Sequence, residues 1–84
     1  MAEDIVGKVS DFFARPVVAG IELTGPLKVG DKIRIVGHTT NLEMVVGSMQ
    51  IKNVNVTAAK KGDSIGVKVT DRVRAGDTVY KITE

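Results

Sequence analysis

The sequence predicts an all-β domain that rolls six or seven short strands into a small closed barrel. Three observations predict it. Lys28-Val29-Gly30-Asp31-Lys32-Ile33, Lys60-Lys61-Gly62-Asp63-Ser64-Ile65 and Arg74-Ala75-Gly76-Asp77-Thr78-Val79 share one pattern, a Gly-Asp turn, one residue that tolerates exposure, and a β-branched residue that opens an alternation. Glycine supplies the backbone freedom of a tight turn, and aspartate accepts a local backbone hydrogen bond as the strand begins. Between these turns apolar residues recur with a period of two, and only 4% of residues are aromatic against 43% hydrophobic, so Val and Ile must fill the interior. Closure removes the sheet edges that the competing arrangement, an all-β sandwich, would leave open to unwanted pairing.

Residues 1–84 read as one domain, with 1–4 expected to fray. Ile5 to Val9 opens the first strand, with Ile5 and Val9 inward and Val6 and Lys8 outward; Ser10 to Pro16 then breaks the pattern. Phe12 and Phe13 are adjacent, so an extended backbone points them in opposite directions and at most one is core. Val17, Ala19, Ile21 and Leu23 form a clean inward row, followed by Ile33 and Ile35, then Leu42, Met44 and Val46. Met49 and Ile51 are out of phase with Val54 and Val56, which predicts a bulged or broken strand near Asn53. Ile65, Val67 and Val69 make the next row, with Gly66 on the opposite face leaving the backbone open to a close neighbour. Thr70 to Ala75 is read as one tight helical turn. In the last strand Lys81 falls where an apolar residue belongs, which predicts a change of buried face.

Twelve basic and ten acidic side chains leave a formal charge of +2, a weak bias beside the clusters of dedicated phosphate binders. The chain has no cysteine, no apolar run of membrane-spanning length and an acidic N-terminus, Ala2-Glu3-Asp4; cytoplasmic residence without membrane contact is the expectation. One histidine, His38, and turn aspartates at 31, 63 and 77 give neither a zinc set nor an EF-hand spacing, so no metal is expected. Ser10, Ser48 and Ser64 lack a nucleophile elbow, and the glycines form no phosphate loop or dinucleotide fingerprint; no cofactor and no enzyme activity are expected.

In order along the chain, Ile5-Val6-Gly7-Lys8-Val9, Val17-Val18-Ala19-Gly20-Ile21-Glu22 and Leu27 to Gly37, and later Gly47-Ser48-Met49-Gln50, Ala59 to Val67 and Arg74 to Val79, resemble the second domain of translation elongation factor Tu and its relatives. That resemblance implies a Greek-key-like barrel standing without the GTPase domain that precedes it in the full factors. Ala14-Arg15-Pro16 departs from the family's glycine- and arginine-containing turn, and Met49-Gln50-Ile51-Lys52 stands where the family borders its pocket for the tRNA end.

The sequence reading is therefore a non-catalytic module that binds RNA or a component of the protein-synthesis machinery, with Arg15, Gln50, Lys52, Lys60 and Lys61 as donors. The alternative is a protein-interaction or homo-oligomeric assembly module using Phe12, Phe13 and Val18.

Overall fold

In the computed structural model, which describes residues 2–14 and 17–83, the chain folds into ten strands. These are β1 (Ala2–Ala14), β2 (Val17–Leu23), β3 (Leu27–Lys28), β4 (Lys32–Val36), β5 (Asn41–Val45), β6 (Met49–Ile51), β7 (Val54–Val56), β8 (Ala58–Ala59), β9 (Ser64–Lys68) and β10 (Thr78–Thr83). Eight of them form one antiparallel sheet in the order β5-β4-β10-β1-β2-β9-β6-β7, and β3 pairs with β8 in a second sheet. The expectation of a closed barrel of six or seven strands is corrected here. β5 pairs only with β4 and β7 only with β6, so the large sheet has two ends. The residue that leaves β5, Val46, turns its backbone instead to the first Gly-Asp turn, donating to the Asp31 carbonyl at 2.8 Å and accepting from the Gly30 N–H at 2.8 Å.

The three Gly-Asp turns are built alike. In each, the aspartate N–H donates to the carbonyl three residues earlier (Lys28, Lys60, Arg74) at 3.0 to 3.1 Å. The aspartate carboxylate accepts that earlier residue's N–H in return, at 3.0, 3.0 and 2.9 Å. Gly30, Gly62 and Gly76 hold φ of 97°, 94° and 96°, a conformation a side chain would strain. Each turn also clips onto one buried residue: Gly30 and Asp31 bracket Val46, Gly62 and Asp63 bracket Leu23, and Gly76 and Asp77 bracket Val9, by paired backbone bonds of 2.7 to 2.9 Å. Ile33, Ile65 and Val79, the residues these turns deliver, are all buried.

β1 is the strand that joins the two halves of the large sheet. Its first part pairs with β10 and its second with β2, and Ala2 to Asp4 lie in the ladder opposite Thr83 to Lys81. Register shifts at Val6 and Ser10 are bulges, each adding one residue and changing the strand's facing. This reverses the inward assignment of Ile5, which is 58% exposed while Val6 is buried, and restores Val9 to the core. The strand then runs on through Ser10 to Ala14, where an interruption was expected.

The phase change between β6 and β7 has a different cause from a bulge. Lys52 and Asn53 both have positive φ, 51° and 65°, so the chain reverses in a two-residue hairpin that sets Ile51 opposite Val54 and Met49 opposite Val56. Residues 70–75 form no helical turn, although Val73 is drawn into the core. Nor does β10 change face. Lys81 stays in register with the inward Ile33 and carries its ammonium to the Asp31 carboxylate, 3.4 Å away. Val6, Val9, Ala19, Ile21, Ile33, Ile35, Met49, Ile65, Val67 and Val79 belong to a single buried cluster, so the sheet must curl until its inner face meets itself.

Candidate functional site

Alternation fixes what the other face presents. Ala19 and Ile21 of β2 and Ile65 and Val67 of β9 point inward, which turns Val18, Gly20, Ser64, Gly66 and Lys68 outward. The ladder aligns Gln50 with Gly66, Gly66 with Gly20 and Gly20 with Asp11, giving an outward row that crosses four strands and has no side chain in its middle. The result is a groove of about 610 Å³ with the two glycines in its floor.

Phe13 and Val18, cross-strand partners, line one flank of this groove. Ser10, Asp11, Ser64, Gln50, Lys52 and Asn53 supply its polar groups. Two of these are held. The Gln50 amide donates to Asn55 Oδ1 at 3.0 Å, and Asp11 Oδ1 accepts the Phe12 N–H at 2.8 Å, leaving each with a further oxygen facing solvent. A smaller hollow of about 210 Å³ adjoins it, lined by Val18, Ser48, Gln50, Gly66 and Lys68. An apolar flank beside a floor without side chains, with scattered donors and acceptors, leaves room for a ligand to lie against the sheet face.

The residues expected from sequence separate in space. Gln50, Lys52, Phe13 and Val18, assigned to two competing functions, line one groove. Phe12 packs against the core, so the adjacent pair divides into one inner and one outer ring. Lys60 and Lys61 are exposed on the turn that clips to Leu23 and do not line the groove; Arg15 lies outside the described residues. Sequence reasoning weighs Ser10 and Ser64 only as nucleophiles, Asn53 only as a bulge position and Asp11 not at all, so it expects none of the four in a binding site. Gly20 and Gly66 share one outward phase, and that pairing of phases was the available signal; the position of Asp11 depends on a bulge that no local pattern announces. His38 is exposed in the β4–β5 loop and borders a separate recess of about 470 Å³. Among the described residues no three His, Cys, Asp or Glu side chains gather where they could hold a metal ion.

Electrostatics elsewhere on the surface are local. Lys32 Nζ meets Glu43 Oε1 at 2.8 Å, and the Lys32 ammonium, helped by Arg34, holds the Glu43 carboxyl below the usual glutamate range. Arg34 reaches across to Glu3 at 3.2 Å.

Two solved structures of the C-terminal domain of a Geobacillus thermoleovorans protein assigned to the U32 peptidases superimpose on this chain. One, in selenomethionine form, has a TM-score of 0.86 at 15% identity over 90% of this chain and 96% of that domain. The other has a TM-score of 0.88 at 16% identity over 95% and 93%. This chain has the fold of that C-terminal domain. In sequence it is 49% identical over 80 residues to an uncharacterized protease of Methanocaldococcus jannaschii, matching 94% of this chain and 20% of the protease. It is 36% identical over 78 residues to collagenase of Porphyromonas gingivalis, matching 90% of this chain and 22% of the collagenase. The chain thus spans about a fifth of the length of the curated relatives it matches. No protein-family model matches it.

These likenesses correct the functional expectations. The resemblance to elongation factor Tu gives way to the peptidase C-terminal domain, and with it go the translation-factor, RNA-binding and protein-synthesis readings and the RNA or ribosomal partner. The supporting chemistry fails too, because among the described residues lining the groove Lys52 is the only cation. The homo-oligomeric alternative falls on the same comparisons, and Phe12 is committed to the core rather than to an interface. The expectation of a non-enzyme is corrected by relatives bearing the names protease and collagenase. As for membranes, no helix among the described residues is long and apolar enough to cross one.

Proposed function

We propose that this chain is the substrate-engaging part of a peptidase, and that the groove over β1, β2, β9 and β6 receives an extended stretch of polypeptide. The observation that carries this reading is the facing pair Gly20 and Gly66, which strips the middle of an outward row while the inward row beneath stays fully apolar. The names of the sequence relatives supply the class of ligand. Residues 1–84 are proposed to act as one unit, in the cytoplasm, on the sequence grounds given above.

Filling the floor tests the reading. A Cβ on Gly66 would lie 3.4 Å from Val18 Cγ1, at the limit of contact, so Gly66→Leu projects its branch into the groove and leaves the core alone. Titrating the isotopically labelled chain with synthetic pentapeptides of mixed sequence is expected to shift the amides of Ser10 to Phe13, Val18 to Gly20, Gln50 to Asn53 and Ser64 to Gly66. Gly66→Leu, still folded by its spectrum, is expected to lose those shifts. Shifts that map elsewhere, or that survive the leucine, would sink the proposal.

A further inference from the structure

The groove has unlike ends. Asp11, on β1, lies at one end of the row that runs through Gly20 and Gly66 to Gln50; Lys52, on the β6–β7 turn two residues past Gln50, lies at the other. Both charges are exposed and neither has an ion-pair partner within 4 Å among the described residues. Asp11 is also held by the backbone beside it. Asp11 Oδ1 is fixed on the Phe12 N–H, leaving Oδ2 for a ligand, and Lys52 sits at a positive-φ turn position, φ 51°. Lys68 belongs to the flanking hollow beside Val18 and marks neither end.

We infer that the groove selects short peptides with both termini free, the ammonium against Asp11 and the carboxylate against Lys52. The inference rests on the peptide-binding reading above and adds polarity and length to it. From β1 to β6 the row crosses three strand spacings, about 14 Å, and Lys52 stands two residues, ~7 Å, further along, so the two positions are ~16 Å apart, while an extended chain advances ~3.3 Å per residue. Four or five residues therefore bring the two termini to the two charges. The flank of Phe13 and Val18 lies beside the Asp11 end, so the residues nearest the peptide's N-terminus are the ones that meet an apolar surface. An internal segment of a long chain presents neither terminal charge and gains nothing at the ends. The ligands so favoured are the products of proteolysis, or oligopeptides on their way to complete hydrolysis.

The test compares four forms of one pentapeptide, Val-Ala-Ser-Gly-Ala, at low ionic strength, where exposed charges are least screened: free, N-acetylated, C-amidated, and capped at both ends. Each cap is expected to weaken binding ~1.4- to fivefold, the range for an exposed ion pair. Asp11→Asn, which keeps the oxygen that accepts the Phe12 N–H, is expected to abolish the effect of acetylation while leaving that of amidation. Lys52→Asn, which tolerates the positive φ, is expected to do the reverse. Equal binding by all four forms at the groove overturns this inference and leaves the peptide groove standing. Exchange of the two variants' effects overturns the assigned polarity, and no binding by any form overturns both readings.

Discussion

Gly37 and Asp77 meet where the β4–β5 loop passes the third Gly-Asp turn, and a double-mutant cycle there gives a sign as well as a size. Asp77 is only 6% exposed, and its carboxylate bonds the Arg74 N–H at 2.9 Å. A Cβ built on Gly37 would overlap that carboxylate. Gly37 lies outside the positive-φ region, so alanine meets no backbone penalty and the cost of Gly37→Ala is the collision, ~1–3 kcal/mol by analogy with overpacked cores. Asp77→Ala removes the carboxylate and leaves the Arg74 N–H without its partner, again ~1–3 kcal/mol. Combined, the two should cost less than their sum. With the carboxylate gone the new methyl group has room, and replacing glycine then stabilises by ~0.4–1 kcal/mol through the unfolded chain. The expected coupling is ~1.4–4 kcal/mol, the collision relieved plus the gain from replacing glycine, read from urea unfolding followed by circular dichroism. In heat, each kcal/mol appears as a shift of ~4–8 °C in a domain of this size. Losses that simply add, with Gly37→Ala equally costly in both backgrounds, refute the contact.

The adjacent phenylalanines should respond unequally: Phe12→Ala removes a ring packed on the core and is expected to cost ~2–3 kcal/mol, whereas Phe13→Ala, at a site 53% exposed, should stay within ~0.5–1 kcal/mol in the same unfolding assay. Comparable losses would show that the ring assignment is wrong. Glu43 should titrate below an ordinary glutamate by carbon-detected NMR, and Lys32→Ala should move it back up. Because its folded-state value is depressed, the stabilisation it lends is complete above the ordinary glutamate range and fades as pH falls through the lowered value. A titration unmoved by Lys32→Ala would assign the depression to another neighbour.

How far the sequence could be read depended on whether a feature was local. The Gly-Asp turns were legible because everything they need lies within four residues, and Ile33, Ile65 and Val79 follow from them. The inward rows of β2, β4 and β9 were legible for the same reason. β1 was not: its two bulges are stabilised by different neighbours, β10 on one side and β2 on the other, and neither neighbour is visible from Ile5-Val6-Gly7 alone. The phase change after Ile51 was seen, but a two-residue reversal and a one-residue bulge both change the phase of an alternation, and only the positive φ of Lys52 and Asn53 separates them. Openness of the sheet rests on where Val46 sends its hydrogen bonds, which is a tertiary choice. At the groove, Gln50, Lys52, Phe13 and Val18 had each been singled out, but their convergence required the ladder that sets Gly20 against Gly66. Short motifs shared with a translation-factor barrel misdirected the functional reading, because turn-and-strand phrases of this kind encode backbone geometry rather than ligand.

Gly20 and Gly66 stand back to back with the core: the residues on either side of them, Ala19, Ile21, Ile65 and Val67, are almost wholly shielded from water. β2 and β9 thus each carry a packed row and a bare position on alternate residues. Small side chains introduced at the two bare positions could make the trough shallower, narrower or differently lined in single steps, with the interior untouched. Substitution at these two positions is thereby uncoupled from the packing beneath them.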